Sequence, residues 1–125
     1  MRYVVSAMLV IVAIIHLMPL SGVLGAERLA ALYGLPFGEP NLALLMRHRA
    51  VLFGLLGAFL LAAAFRPEWQ PLAFAAGFVS VVSFLWLTWG SVRNPEVGRI
   101  VAADVVALAC LVVGLAAYLV ERRAG

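Results

Sequence analysis

The 125-residue sequence contains no lysine, one cysteine and few charges, which make up only 12% of its residues. A soluble domain carries about twice that share of charge, so a soluble globular protein is excluded. With a single cysteine there is no internal disulfide and no cysteine-built metal site. Cys110 lies inside an apolar run and reads as a small apolar filler. The chain also lacks a Walker-type loop, a dinucleotide fingerprint, an HExxH pair, a nucleophile elbow and a CxxC motif. Neither an internal repeat nor the paired, broken helices of a secondary transporter is present. The nine basic residues, all arginine, are scattered at the ends of apolar runs. That scatter excludes a nucleic-acid-binding patch, and the formal charge of +3 is explained by interfacial arginine.

What the sequence has is hydrophobicity. Its hydrophobic content is 66% and its mean hydropathy is +1.09, which excludes disorder. A membrane-crossing helix needs about 20 apolar residues, so a single domain (1–125) of four spans fills the chain. The expected spans are 3–20, 42–65, 71–90 and 100–120. Lipid offers the backbone no hydrogen bonds, so these stretches must be helices. The fold class is therefore all-α: a four-span transmembrane bundle. Span one has some features of a cleaved signal peptide, with Arg2 before it and a small-residue site ending at Ala26. Its apolar run exceeds the usual signal core, and it is read as a retained span.

The second and third connections are short and make spans two, three and four antiparallel neighbours. The first connection, from Ser21 to Asn41, is long for a bundle. Its stretch from Gly25 to Gly34 reads as a short amphipathic helix with Leu29, Leu32 and Tyr33 on one face. This is expected to be an interfacial helix after span one or a lid over the bundle mouth. Gly34, Pro36, Gly38 and Pro40 then break the chain. Four spans put both termini on one side of the membrane. Counting arginines by the positive-inside rule, with Arg47 and Arg49 assigned to the apolar run, puts the termini in the cytoplasm.

Ionisable groups inside a membrane are functional candidates. From the helical rise, His48 lies roughly 27 Å from Arg66, and Asp104 roughly 25 Å from Glu121. Arg47, His48, Arg49 and Asp104 therefore share a level near the face opposite the termini. His16 sits slightly deeper, and span three brings Trp86 to the same region. Residues two apart on a helix point to nearly opposite sides. Arg47 continues into the small residues Ala50, Gly54, Gly57 and Ala58, a pattern of helix–helix contact. Arg49 continues into Leu52, Phe53, Leu56 and Leu60, which suits lipid. Arg47 is thus placed in the bundle as the partner of Asp104, with His48 next to them, and Arg49 is expected to snorkel. Span three has its own small stripe of Ala73, Ala76, Gly77, Ser80 and Ser83, expected to face span two or four.

The candidate ligand-binding residues are His16, Glu27, Arg47, His48, Trp86 and Asp104. They are read as a polar pocket near one membrane face for a hydrophobic or amphiphilic small molecule or a partner. Two alternatives stand beside this reading. One is an accessory subunit in which an Asp104–Arg47 clasp only fixes helix register. The other is a membrane enzyme of isomerase type on a lipid-like substrate, with Asp104 or Glu27 as base and His48 as acid. No metal or cofactor is expected. Haem held by His16 and His48 is the nearest cofactor geometry, but two histidines in four spans are a weak signal. Partners are the bilayer, a lipid-like molecule, and a second copy or another membrane subunit.

The layout resembles the small bacterial four-helix membrane proteins grouped as DoxX-like. The resemblance rests on a first span ending in His16-Leu17-Met18-Pro19, a longer first loop and three closely linked spans. It rests also on Met46-Arg47-His48-Arg49-Ala50-Val51-Leu52-Phe53-Gly54 and Ala102-Ala103-Asp104. It implies the four-helix fold and a bacterial inner-membrane location, and it transfers no catalytic residue. The alanine, glycine and arginine content suits a GC-rich bacterium.

Overall fold

The computed structural model describes residues 1–124, and all regular structure in them is helical. The first helix, α1 (Arg2–Leu17), runs into a 3₁₀ segment, Met18–Leu24. Pro19 has no N–H to continue the α ladder, and the chain tightens there until Gly25 ends it. A short helix, α2 (Ala26–Tyr33), follows and is closed by Gly34 at φ 67°. Glycine takes that left-handed cap without a Cβ clash. The third helix, α3 (Pro40–Ala63), starts on Glu39, whose carboxylate accepts from the Leu42 N–H at 2.7 Å. The turn Pro67–Trp69 leads into α4 (Gln70–Thr88). The last helix, α5 (Pro95–Ala124), begins where the Asn94 side chain accepts from the Val97 N–H at 2.8 Å. Proline occupies the first turn of α3, α4 and α5, where an N–H would have no partner anyway.

The structure has the four long apolar helices that the composition demands, each sufficient to cross a membrane. At 30 residues, α5 is about 45 Å long and projects beyond a hydrocarbon core of about 30 Å. The first helix packs mainly on α3 and α5, and α4 packs mainly on α5. Helices α3 and α4 share far fewer contacts despite their short connection. The expectation that spans two and three are close neighbours thus holds only near their turn. There the Gln70 Nε2–H donates to the Ala63 carbonyl and Phe59 stacks on Trp69.

Small residues set the close contacts. A Cβ on Gly57 would lie 3.1 Å from the Ala13 carbonyl oxygen and closer still to Leu17. Gly77 receives Leu111, and Gly114 receives Phe74. Ala50, Gly54 and Gly57 of α3 and Ala73 and Gly77 of α4 are therefore contact positions, as membrane packing requires, while Ala58 and Ser83 of the same stripes are exposed. Leu9, Leu60, Val81 and Leu111, one from each long helix, are fully buried in the core. A second cluster of Leu29, Tyr33 and Phe37 docks α2 against Met46 of α3 and Ile100 of α5. The amphipathic reading of 25–34 is correct: Leu29 and Tyr33 are buried and Leu32 is half-buried. The start of α1 lies beside the last turns of α5, with the Met1 ammonium 3.9 Å from the Glu121 carboxylate.

Candidate functional site

A cavity of about 320 Å³ lies at the end of the bundle away from the termini. It draws walls from all five helices and from the 3₁₀ segment, with α2 as its cover. His16 of α1, Arg49 and Phe53 of α3, Phe84 of α4 and Asp104 of α5 line its interior. Arg28, Glu96 and Arg99 line it from α2 and the first turn and a half of α5.

His16 is buried and both of its ring nitrogens are engaged. Nδ1 lies 2.9 Å from the Val12 carbonyl and Nε2 lies 2.9 Å from the Ser80 hydroxyl. A carbonyl can only accept, so Nδ1 carries the proton and, in the neutral ring, Nε2 accepts from Ser80. This bond ties α1 to α4. Phe53 sits beside the imidazole, with ring centroids 5.8 Å apart.

Arg49 is the cation of the interior. Its Nη1–H donates to the Tyr33 hydroxyl at 2.8 Å, and its guanidinium lies 4.4 Å from the centre of the Phe53 ring. That stacking is a cation–π contact, and Phe53 stands one helical turn further along α3. Arg49 therefore joins the cover helix to the wall. It lines the same cavity as Asp104 without the two closing to ion-pair distance. Among the described residues the Asp104 and Glu96 carboxylates have no hydrogen-bond or ion-pair partner.

Asn94 holds the cover from outside. Its Nδ2–H₂ donates to the Tyr33 carbonyl at 2.8 Å and to the Gly34 carbonyl at 3.3 Å, while its Oδ1 caps α5. Glu96 packs directly against Gly34, which leaves no room for a Cβ there.

Of the six residues singled out in the sequence, His16 and Asp104 line the cavity and the other four do not. Arg47 is exposed and donates from Nε to the Val23 carbonyl at 2.9 Å. It does not pair with Asp104. Ala50, Gly54 and Gly57 beneath Arg47 are buried and Ala58 is exposed; Gly54 and Gly57 seat α3 directly against Leu20, Leu17 and the Ala13 carbonyl. The arginine side chain passes outside and fastens the end of the 3₁₀ segment. Arg49, assigned to lipid, takes the interior place because α3 and α4 diverge on its side. Of the residues that follow Arg49 on that face, Leu52 is exposed, Phe53 and Leu56 are half-buried and Leu60 is fully buried, so the lipid-facing reading holds for Leu52 and not for Leu60. His48 is exposed and does not line the cavity that His16 lines. Glu27 is exposed at the start of α2 and outside the cavity. Trp86, with 79% of its surface exposed, points outward from α4. His48, considered as the acid of an isomerase, thus stands outside the cavity that Asp104 lines.

Arg49, Tyr33, Phe53 and Ser80 complete the site. The spacing of Arg49 and Phe53, four apart on one helix, was the available signal for the stacked pair. Comparison with protein-family models, with curated proteins and with solved structures finds no match to this chain.

Proposed function

We propose that the chain is a multi-pass protein of a bacterial inner membrane whose end cavity binds an amphiphilic small molecule. The carrying observation is the convergence of His16, Arg49 and Asp104, from three helices, on one largely apolar cavity covered by α2. A concave apolar space with a few convergent polar groups is the form of a small-molecule site. The accessory-subunit reading needs Asp104 as half of a clasp. Its carboxylate has no such partner, which favours the ligand reading. In its layout the protein joins the small bacterial four-helix membrane proteins that it resembles, and its termini are assigned to the cytoplasm.

The test fills the cavity. The protein is reconstituted with a neutral single-chain amphiphile, a monoacylglycerol carrying a diazirine in its chain, irradiated, and mapped by peptide mass spectrometry. Labelling is expected on the cavity-lining peptides of the wild type and lost there in Ala103→Trp. An identical pattern in both proteins removes the proposal. Reporter fusions at each end should both give the cytoplasmic signal; a signal from the other side at either end overturns the assigned topology.

A further inference from the structure

Three features of the cavity restrict its occupant further, given the ligand-binding reading above. The first is size. A volume of about 320 Å³ is at the low end for small-molecule pockets. It accommodates a polar head and a short linker, and not two long acyl chains.

The second is charge of both signs in one space. Arg49, Arg28 and Arg99 line the cavity together with Asp104 and Glu96; Arg49 is bonded to Tyr33 and stacked on Phe53, Arg28 donates from Nε to Ser21, and Arg28 and Arg99 are exposed. Guanidinium groups match phosphate oxygens, with charge-assisted hydrogen bonds in a fork. Carboxylates only accept, so the two unpartnered ones call for a cation that donates. A primary ammonium has three N–H donors. A trimethylated ammonium has none and would leave both carboxylates without a hydrogen bond. A purely anionic head would bring more negative charge to Asp104 and Glu96.

The third is an open side. Helices α3 and α4 are bound together at the Arg66 end, through Gln70 and Ala63 and through Phe59 and Trp69. Elsewhere they touch little. At the level of the cavity, Phe53 of α3 and Phe84 of α4 both line it and both remain half-exposed. An occupant's chains can therefore leave between these two helices and stay in the bilayer.

We infer that the cavity takes the headgroup of a phospholipid bearing a phosphate and a primary amine, with its acyl chains passing between α3 and α4 into the membrane. The phosphate meets the arginines and the ammonium meets Asp104 and Glu96. The two phenylalanines flank the glycerol and the first carbons of the chains.

The experiment is native mass spectrometry of the purified full chain in detergent. It is titrated with dioleoyl phosphatidylethanolamine, phosphatidylcholine or phosphatidylglycerol, and with free O-phosphoethanolamine. The ethanolamine lipid is expected to bind about tenfold more tightly than either other lipid, the effect of one charged hydrogen bond. Asp104→Asn should bring it down to the choline lipid. If circular dichroism shows that this variant does not fold, Glu96→Gln takes its place and should reduce the preference in the same direction. Equal affinity for the three lipids, or a preference for phosphatidylglycerol, overturns the headgroup assignment. If those lipids still lose binding in Ala103→Trp, the cavity remains a ligand site and only this inference falls. If Ala103→Trp binds every lipid as the wild type does, the ligand-site reading falls as well. Free phosphoethanolamine binding as tightly as the lipid would remove the role of the chains. A phosphatidylethanolamine with a mid-chain diazirine should label α3 and α4; label confined to the outer face of α5, at Val105 and Val106, would overturn the lateral exit.

Discussion

At the end of the bundle that carries Met1 and Glu121, the space between helices is filled by small and apolar side chains. Ala63, Ala64, Ala73, Phe74 and Ala117 are all buried there. The polar groups nearby are closed by backbone, as when Ser6 donates to the Ala64 carbonyl and Gln70 to the Ala63 carbonyl. At the opposite end lies the cavity, lined among apolar residues by His16, Arg28, Arg49, Glu96, Arg99 and Asp104. One end is shaped by close backbone approach, and the other by long side chains that need room. A membrane protein has no hydrophobic drive between helices beyond packing. Contact therefore has to be maximal in one place for an opening to be tolerated in another.

This contrast is open to measurement. The largest effect is expected from Leu111→Ala in the packed part of the core, where a buried leucine is replaced by a void. Unfolding in detergent should show a loss of about 2–5 kcal/mol; a change under 1 kcal/mol would mean that this core is not close-packed.

A sharper comparison uses two alanines one turn apart on α5. Ala107 is fully buried, whereas Ala103 lines the cavity. Ala107→Leu should destabilise by about 1–3 kcal/mol through overpacking. Ala103→Leu should cost distinctly less or stabilise, because there is space for the added carbons. Equal losses at the two positions would break the distinction between the ends.

Asn94→Ala removes a helix cap and the hold on α2 together. A loss of about 1 kcal/mol is expected from the cap. Hydrogen exchange should also quicken in 26–33 as well as in the first turn of α5. Faster exchange in α5 alone would show that the cover does not depend on Asn94.

The smallest effect concerns Glu39, which is fully exposed. The Leu42 N–H, and after it that of Asn41, holds its carboxyl below the usual carboxylate range. A lowered folded-state value means that the contribution is present above the unfolded value of about 4.3 and is lost as pH falls through the folded value. The Leu42 amide should therefore exchange faster at acidic pH, after correction for intrinsic rates, and Glu39→Gln should abolish that dependence. A pH response unchanged in the variant would assign it to another group.

Much of this contrast could be read from the sequence, and the failures have a common cause. Four helices, their order, the amphipathic helix at 26–33 and the small stripes follow from hydrophobicity and spacing, which act along a single helix. His16 and Asp104 were found by depth, also a property of one helix at a time. Arg47 and Arg49 depended on which side of α3 had room, and that is decided by how α3 and α4 separate. A small stripe signals contact, but it does not signal space for a charged side chain above it. The interior place of Arg49 was signalled locally by Phe53 one turn away and by Tyr33 in the helix after span one, whose hydroxyl needed a partner.

The packing of α1 against α5 has a consequence for how the protein is made. The first helix leaves the ribosome with its sealing partner still about a hundred residues away, and such distant contacts are slow to form. Domains emerge at about 5–20 residues per second, so α1 waits several seconds for α5, with α3 as the earlier of its two main partners. During that interval His16 can already bond the Val12 carbonyl of its own helix, but its bond to Ser80 must wait for α4. Until Ser80 arrives, Nε2 of His16 lacks the partner that it has in the finished fold. That nitrogen gives α1 a reason of its own to capture α4 when it arrives.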